Sequence, residues 1–351
     1  MWVREISLDF LPHNQLVIYS NFSEAKRIHL VGKKLKKLSD AIDTALRSSL
    51  AVKKGETVLV ITDVHKRHIG IMFHEKAQKL KAQSMLVDII PGKTDGEEPP
   101  EMIAKLMKDV DVLICPTSKS LTHTNARRAA SKRGARTITL PGVTEEMLAR
   151  AGNVDMQKMA RITNKMTDIL TIGSNVHITT PAGTDLRLTI KGKKGIADTG
   201  FVTEPGMTCN IPAGEAFLAP VEGSAEGILV VDGSMGQSGI IKKPIKMYVS
   251  KGFVTKILGN REARLLRKLL APFGKMGRNI AEFGIGTNPK AKLTGKVLED
   301  EKILGTVHIA LGNNLTMGGT CDVGSHLDGI LLRPKVTIDE KVILSGGKIR
   351  I

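Results

Sequence analysis

The sequence predicts an α/β fold: an N-terminal doubly wound parallel-sheet domain followed by a β-rich α+β domain. Between about residues 40 and 165, apolar runs of strand length alternate with amphipathic helical patterns. Such alternation builds a parallel sheet with helices on both faces. After about residue 170 the rhythm changes to short β-branched runs separated by Gly, Pro and Asn, the pattern of strands joined by tight turns. A chain of 351 residues suits two domains with a core in each.

Residues 1–35 read as an extended N-terminal segment, 36–168 as a Rossmann-like α/β domain and 169–351 as the β-rich domain. The basic run at 32–38 leads into a helical pattern at 40–49 and reads as a solvated helix face. Buried-strand patterns follow at 56–63, 84–90, 110–115 and 137–140. In a doubly wound sheet, functional groups gather at the carboxyl ends of the strands, which here hold Asp63, His65, Thr117 and Ser118. No Gly-x-Gly-x-x-Gly follows the first strand and no P-loop occurs, so a nucleotide-binding reading has no motif to rest on. In the second half, runs at 176–180 and 227–233 read as strands. One helix interrupts them, with Asn260 as N-cap and a stop at Pro272 and Gly274.

Composition narrows the partners. A formal charge of +17 would concentrate anions of any kind. Aromatic residues make up only 3% and do not interleave with the basic ones, so the stacking platforms of nucleic-acid binders are missing and nucleic acid is not an expected partner. Three cysteines without a Cys-x-x-Cys pair suggest neither a disulfide framework nor a zinc knuckle, which points to a reducing, cytoplasmic setting. No segment has the apolar length of a membrane span, so no membrane partner is expected.

His326 and Asp328 stand one residue apart in Gly-Ser-His-Leu-Asp-Gly, just after a Gly-rich run at 312–319. Side chains alternate faces along a strand, so the two point the same way, and an imidazole beside a carboxylate suits a divalent metal. Glu215, Glu282 and His308 each lie in a short apolar run bounded by Gly, Pro or Asn. A carboxylate in such a run is costly to desolvate unless a cation or hydrogen bonds meet it. Taken singly, each glutamate reads as a cap on backbone donors and His308 as a satisfied core residue. Five such residues in one half of the chain shift the balance toward a metal-binding role.

The segments Asn-Ile-Pro-Ala-Gly-Glu215-Ala-Phe-Leu-Ala-Pro, Ala-Glu282-Phe-Gly-Ile-Gly-Thr-Asn-Pro, Gly-Thr-Val-His308-Ile-Ala-Leu-Gly-Asn and Ser-His326-Leu-Asp328 resemble, in order, the metal-site blocks of the aminopeptidase T / PepS family of metallopeptidases. The resemblance implies an aminopeptidase-like hydrolase that removes N-terminal residues from peptides. It implies a pair of divalent ions (Zn, Co, Mn or Mg) held by Glu215, Glu282, His308, His326 and Asp328, and a homodimer. Two such ions can share and activate a water, with one carboxylate bridging them; Glu282 or Glu215 is the candidate bridge, and Glu282 the candidate catalytic carboxylate. The site is expected in a cleft between the β-rich domain and the N-terminal sheet. The family pattern places a tyrosine seven residues after the histidine of the third block, where this chain has Leu315. An isobutyl group cannot replace a phenol in hydrogen bonding, so metal binding is expected to survive and peptidase activity to be lost or changed.

The architecture also looks like that of the 2,5-dihydroxypyridine dioxygenases, which the resemblance implies bind one non-haem iron and open an aromatic ring of a small-molecule substrate with O2. In that branch a histidine is expected where Glu282 stands, and a first-domain histidine serves as acid or base, a role His123 could take. Other constellations fall away. Asp63, His65 and His68 are flanked by Lys66 and Arg67, which would repel a cation. Gly236-Gln-Ser-Gly lacks the nucleophile-elbow spacing, and Cys321 reads as a spectator in its Gly-rich loop.

Overall fold

The computed structural model describes residues 22–351. Helix α1 (Phe22–Thr44) runs into one π-helical turn at Ala45–Ser49. The extended reading of residues 1–35 is thereby corrected from Phe22 onward, and residues 1–21 lie outside the described ones. The reason is a stripe at helical spacing: Leu38, Ala41, Ile42, Ala45 and Leu46 are all buried in one core with Phe73 and Leu148. Lys33, Lys34, Lys36 and Lys37 occupy the solvated face.

Four βα steps follow: β1 (Thr57–Asp63), α2 (Arg67–Lys79), β2 (Gln83–Ile89), α3 (Glu101–Leu106), β3 (Val112–Cys115), α4 (Asn125–Lys132), β4 (Arg136–Thr139) and α5 (Glu145–Ala151). The strands pair in parallel in the order β2-β1-β3-β4. Alternation along β1 divides the two faces, with Val58 and Val60 in one core cluster and Leu59 and Ile61 in the other. Both faces of the sheet are covered, as a parallel sheet requires.

Helix α6 (Met156–Ile172), capped by Asp155, leads into β5 (Asn175–Thr179), β6 (Asp185–Thr189), β7 (Ile196–Asp198) and β8 (Thr208–Asn210). Strand β8 lies beyond residue 169, yet it pairs in parallel with β4 and completes the first sheet. The remaining elements are β9 (Glu215–Leu218), β10 (Glu226–Val231), β11 (Ile245–Ser250), β12 (Phe253–Leu258), α7 (Arg261–Leu270), β13 (Ile280–Gly286), α8 (Val297–Asp300), β14 (Val307–Gly312), β15 (His326–Leu331), β16 (Lys335–Ile338), β17 (Lys341–Ser345) and β18 (Lys348–Ile349). With β5, β6 and β7 these strands form an eight-stranded antiparallel sheet, β12-β11-β10-β6-β5-β16-β17-β18, and a five-stranded one, β15-β14-β13-β9-β7. The chain is thus mixed α/β, with one parallel and two antiparallel sheets. No helix among the described residues is long and apolar enough to cross a membrane.

The two antiparallel sheets share a core. Leu218, Phe283, Ile285, Val307, Ile309, Leu311, Leu327 and Leu331 from the five-stranded sheet pack with Val176, Ile178, Leu186, Leu188, Leu229, Val231, Ile245 and Met247 from the other. Alternation along each strand then sends the intervening side chains to the opposite face of the five-stranded sheet. Glu215, Glu282, His308, His326 and Asp328 are all among those intervening residues.

Candidate metal centre

Register brings the five residues together. Asp328 on β15 pairs with Ala310 on β14, and Ala310 with Glu282 on β13. A bulge between Ile280 and Glu282 sets that row. The methyl group of Ala310 leaves room between the two carboxylates. One step along, His308 lies opposite Gly284, where a Cβ would stand 2.0 Å from the imidazole Nε2. Gly284 is therefore a packing requirement, since only a residue without Cβ lets His308 fold over β13.

Two triads result, each with its ligand atoms within 4.8 Å of one another: Glu215, Glu282 and His308, and Glu282, His326 and Asp328. Glu282 belongs to both and offers a different oxygen to each. His308 Nε2 lies 3.2 Å from Glu282 Oε1 and 3.3 Å from Glu215 Oε2. His326 Nε2 lies 3.1 Å from Glu282 Oε2 and 3.5 Å from Asp328 Oδ1. Separations of this size are those of donors in adjacent positions around one ion with bonds of about 2.1 Å.

The tautomer of His326 follows from its other nitrogen, which lies 2.8 Å from the Asn313 carbonyl oxygen. A carbonyl only accepts, so Nδ1 carries a proton, the usual outer support of a metal-binding imidazole. Without an ion Nε2 is protonated as well and donates toward the Glu282 and Asp328 carboxylates, and it is this second proton that an ion would displace. The donor set of the second triad, one such imidazole and two carboxylates, fits a divalent ion of the iron or manganese kind. Four of the five residues are buried, while the His326 side chain keeps 20% exposure, so this end of the centre is the open one.

Electrostatics within the cluster are strong. Burial alone would raise Glu282, but hydrogen bonds from His308 and His326 hold its carboxyl well below the usual range. Burial opposes the charge on both histidines. Glu282 and Glu215 nevertheless push His308 up to about 9, and Asp328 with Glu282 raises His326 well above its ordinary value. An ion arriving at these groups displaces protons from imidazole.

His123 comes from the loop before α4, next to the N-cap Thr124, and this exposed residue lies beside the open end of the centre. Its centroid lies 6.1 Å from that of His326, and its Nδ1 is 3.4 Å from Thr316 Oγ1. Surrounding protein atoms, followed by the charge of His326, push its pKa down to about 4, so the ring is neutral at neutral pH. Among the other strand-end groups, Asp63 is structural, since it accepts from the Ser118 amide and hydroxyl and from the His65 amide and so ties loops together. Cys321 Sγ sits 3.7 Å from the Met276 carbonyl oxygen, outside both triads.

Sequence reasoning passed over Lys302, which is fully buried with its ammonium against Glu215, 2.8 Å from Glu301 and 3.5 Å from Asp198. Nothing in the run Glu-Asp-Glu-Lys at 299–302 marks one of its charges as buried. The available signal was Gly286, opposite Glu215 in register, where a Cβ would strike the Ile303 carbonyl oxygen at 2.1 Å. A bare backbone there lets the segment after α8 press Lys302 into the interior.

A family profile described as 2,5-dihydroxypyridine 5,6-dioxygenase (NicX) matches residues 37–351. The 2,5-dihydroxypyridine 5,6-dioxygenase of Pseudomonas putida KT2440 is 29% identical over 247 residues, 65% of this chain and 68% of the relative. A solved 2,5-dihydroxypyridine dioxygenase from Pseudomonas putida KT2440 superposes with a TM-score of 0.79 at 22% identity, covering 89% of this chain and 96% of that one. Wild-type AmpT from Thermus thermophilus superposes at 0.69 with 17% identity, covering 90% and 99%. At such identities the two structural likenesses speak for the fold alone. The profile and the Pseudomonas relative overturn the expectation of an aminopeptidase-like hydrolase or protease. Leu315 agrees, being a 44% exposed apolar side chain where a peptidase of the resembled kind carries a phenol. The chain belongs to the NicX family of 2,5-dihydroxypyridine 5,6-dioxygenases.

Proposed function

We propose that this chain is a ring-cleaving dioxygenase acting on a hydroxylated pyridine of the 2,5-dihydroxypyridine type, with one ferrous ion held by Glu282, His326 and Asp328. The observation that carries the reading is the second triad. His326 is oriented through Asn313 and shares one face with two carboxylates, at the exposed end of the centre where His123 stands. Membership of the NicX family supports the reaction class. The ion, when bound, would supply open positions for a substrate hydroxyl and O2, both atoms of which enter the product as the bond between ring carbons 5 and 6 breaks. Glu282 stands where a histidine is expected in the dioxygenase branch, so the proposed set is one imidazole and two carboxylates.

The chain's own groups divide the remaining work. Neutral His123 carries a free ring nitrogen and can accept the proton of the substrate hydroxyl without first losing one of its own. Exposed Leu315 and Thr316 border the same opening and offer an apolar and a hydroxyl contact to a small ring. The test is oxygen uptake by anaerobically iron-loaded protein given 2,5-dihydroxypyridine, with an aminoacyl anilide in parallel. One O2 consumed per ring and no anilide hydrolysis is the expected result, and loaded protein that consumes no oxygen would overturn the proposal.

A further inference from the structure

The two triads on either side of Glu282 have the form of a two-ion centre, yet the first already has a cation built into it. We propose that the ammonium group of Lys302 takes the place of a second metal ion, so that the centre holds one ion, on Glu282, His326 and Asp328, with Lys302, Glu215 and His308 as its fixed positive half. This rests on the metal-centre reading above and adds to it the residue that limits the centre to one ion.

Lys302 is buried to 0% exposure. An isolated ammonium there would be costly, but Glu215 Oε1, Glu301 Oε1 and Asp198 Oδ2 surround it. Burial works against the charge, and these three carboxylates together still hold its pKa well above the ordinary value. With these contacts Lys302 already offsets negative charge that a second cation would otherwise meet. A divalent ion in the first triad would share the Glu215 carboxylate with this ammonium, one on each oxygen. Like charges at that range repel strongly where little water screens them.

The triad is otherwise ready. Glu215 Oε2 finds no hydrogen-bond donor among the described residues and lies beside His308 Nε2, which also contacts Glu282 Oε1. With Lys302 in place, His308 serves as a positioning residue: it holds Glu282 by one oxygen and leaves the other, 3.1 Å from His326 Nε2, for the ion. Neutralising Lys302 should convert this half into a second binding position.

Mn(II) binding to the full-length protein tests this, read by metal analysis of the protein and by electron paramagnetic resonance. Wild type should saturate at one Mn(II) per chain with the six-line signal of an isolated ion, and Lys302→Met should take up a second with loss of that signal to exchange coupling. Lys302→Gln keeps a hydrogen-bonding group for Glu215 and Asp198 while removing the charge, and should gain the second ion as well. Two coupled ions in wild type would overturn the proposal while leaving the metal centre intact, as would a folded neutral variant that still binds one. Wild type that binds none would remove the metal-centre reading and this inference with it. Should both variants fail to fold, the wild-type count and signal decide.

Discussion

His123 and His326 face each other at the open end of the centre, with ring centroids 6.1 Å apart and planes tilted by 41°. One ring comes from the loop before α4 and the other from β15, so the arrangement joins a loop of the parallel-sheet half to a strand of the five-stranded sheet. His326 has one nitrogen committed to Asn313 and the other turned to the carboxylates. His123 is held neutral beside it, with a pKa lowered to about 4 by the surrounding protein atoms and by the charge of His326.

Replacing His123 by Asn should lower the turnover of iron-loaded protein by about 100- to 10,000-fold, the range for loss of a general base, with metal content unchanged. Because the wild-type ring stays unprotonated down to about 4, its rate should fall only as pH drops toward that value. The variant should lack this acid limb. Metal analysis and a pH–rate profile check both points, and loss of metal in His123→Asn would mean that the residue helps to hold the ion.

His326→Ala and Asp328→Asn each remove one of three proposed ligands. Affinity for Fe(II) or Mn(II) should drop by more than about 100-fold, beyond the 10- to 100-fold usual for outer partners of a metal site. Titration against a competing chelator reads this directly. Unchanged affinity in either variant would remove that residue from the ligand set.

Gly284→Ala introduces a Cβ 2.0 Å from His308 Nε2. His308 is fully buried and has nowhere to move without displacing Glu282 or Glu215. Overpacking of this kind costs about 1–3 kcal/mol, so a lower urea midpoint is expected together with weakened metal binding. A stable variant with full metal affinity would show that His308 is not confined as described.

Protein stripped of metal should have a stability that depends on pH at both ends. His308 is raised from 6.5 to about 9, so what it contributes is complete below pH 6.5 and is lost as pH climbs through about 9. Glu282 is depressed below its ordinary 4.5, so its contribution is present above that value and is lost as pH falls below it. Urea midpoints measured from pH 4 to 10 should therefore peak in between. A midpoint that stays flat through pH 9 in wild type would dissociate His308 from the carboxylate cluster.

Much of the architecture is readable without coordinates because it depends on local periodicity. The alternation in β1 that sends Val58 and Leu59 into different cores also fixes which residues of β13, β14 and β15 share a face. Spacing alone places His326 and Asp328 on one face, whereas Glu282 and His308 join them through residue type and the resemblance of their segments to known metal-site blocks. The segment from Phe22 reads as extended yet is helical, and its buried stripe at Leu38, Ala41, Ile42, Ala45 and Leu46 has the spacing of a helix. The choice between hydrolysis and ring cleavage is not readable, since imidazoles and carboxylates on one face serve either chemistry.

From its own pattern of residues, then, the chain determined a parallel α/β half, a β-rich half and a set of metal-capable side chains in the second of them. Only the tertiary structure decided how those side chains are used. It set Ala310 between Glu282 and Asp328, brought His123 to His326, and drove Lys302 against Glu215 over the bare backbone of Gly286. The physical reason is one of range: alternation acts between neighbours along a strand, whereas a buried charge is stable only through partners far away in the chain. For Lys302 those partners include Asp198 and Glu215, about a hundred residues earlier in the sequence.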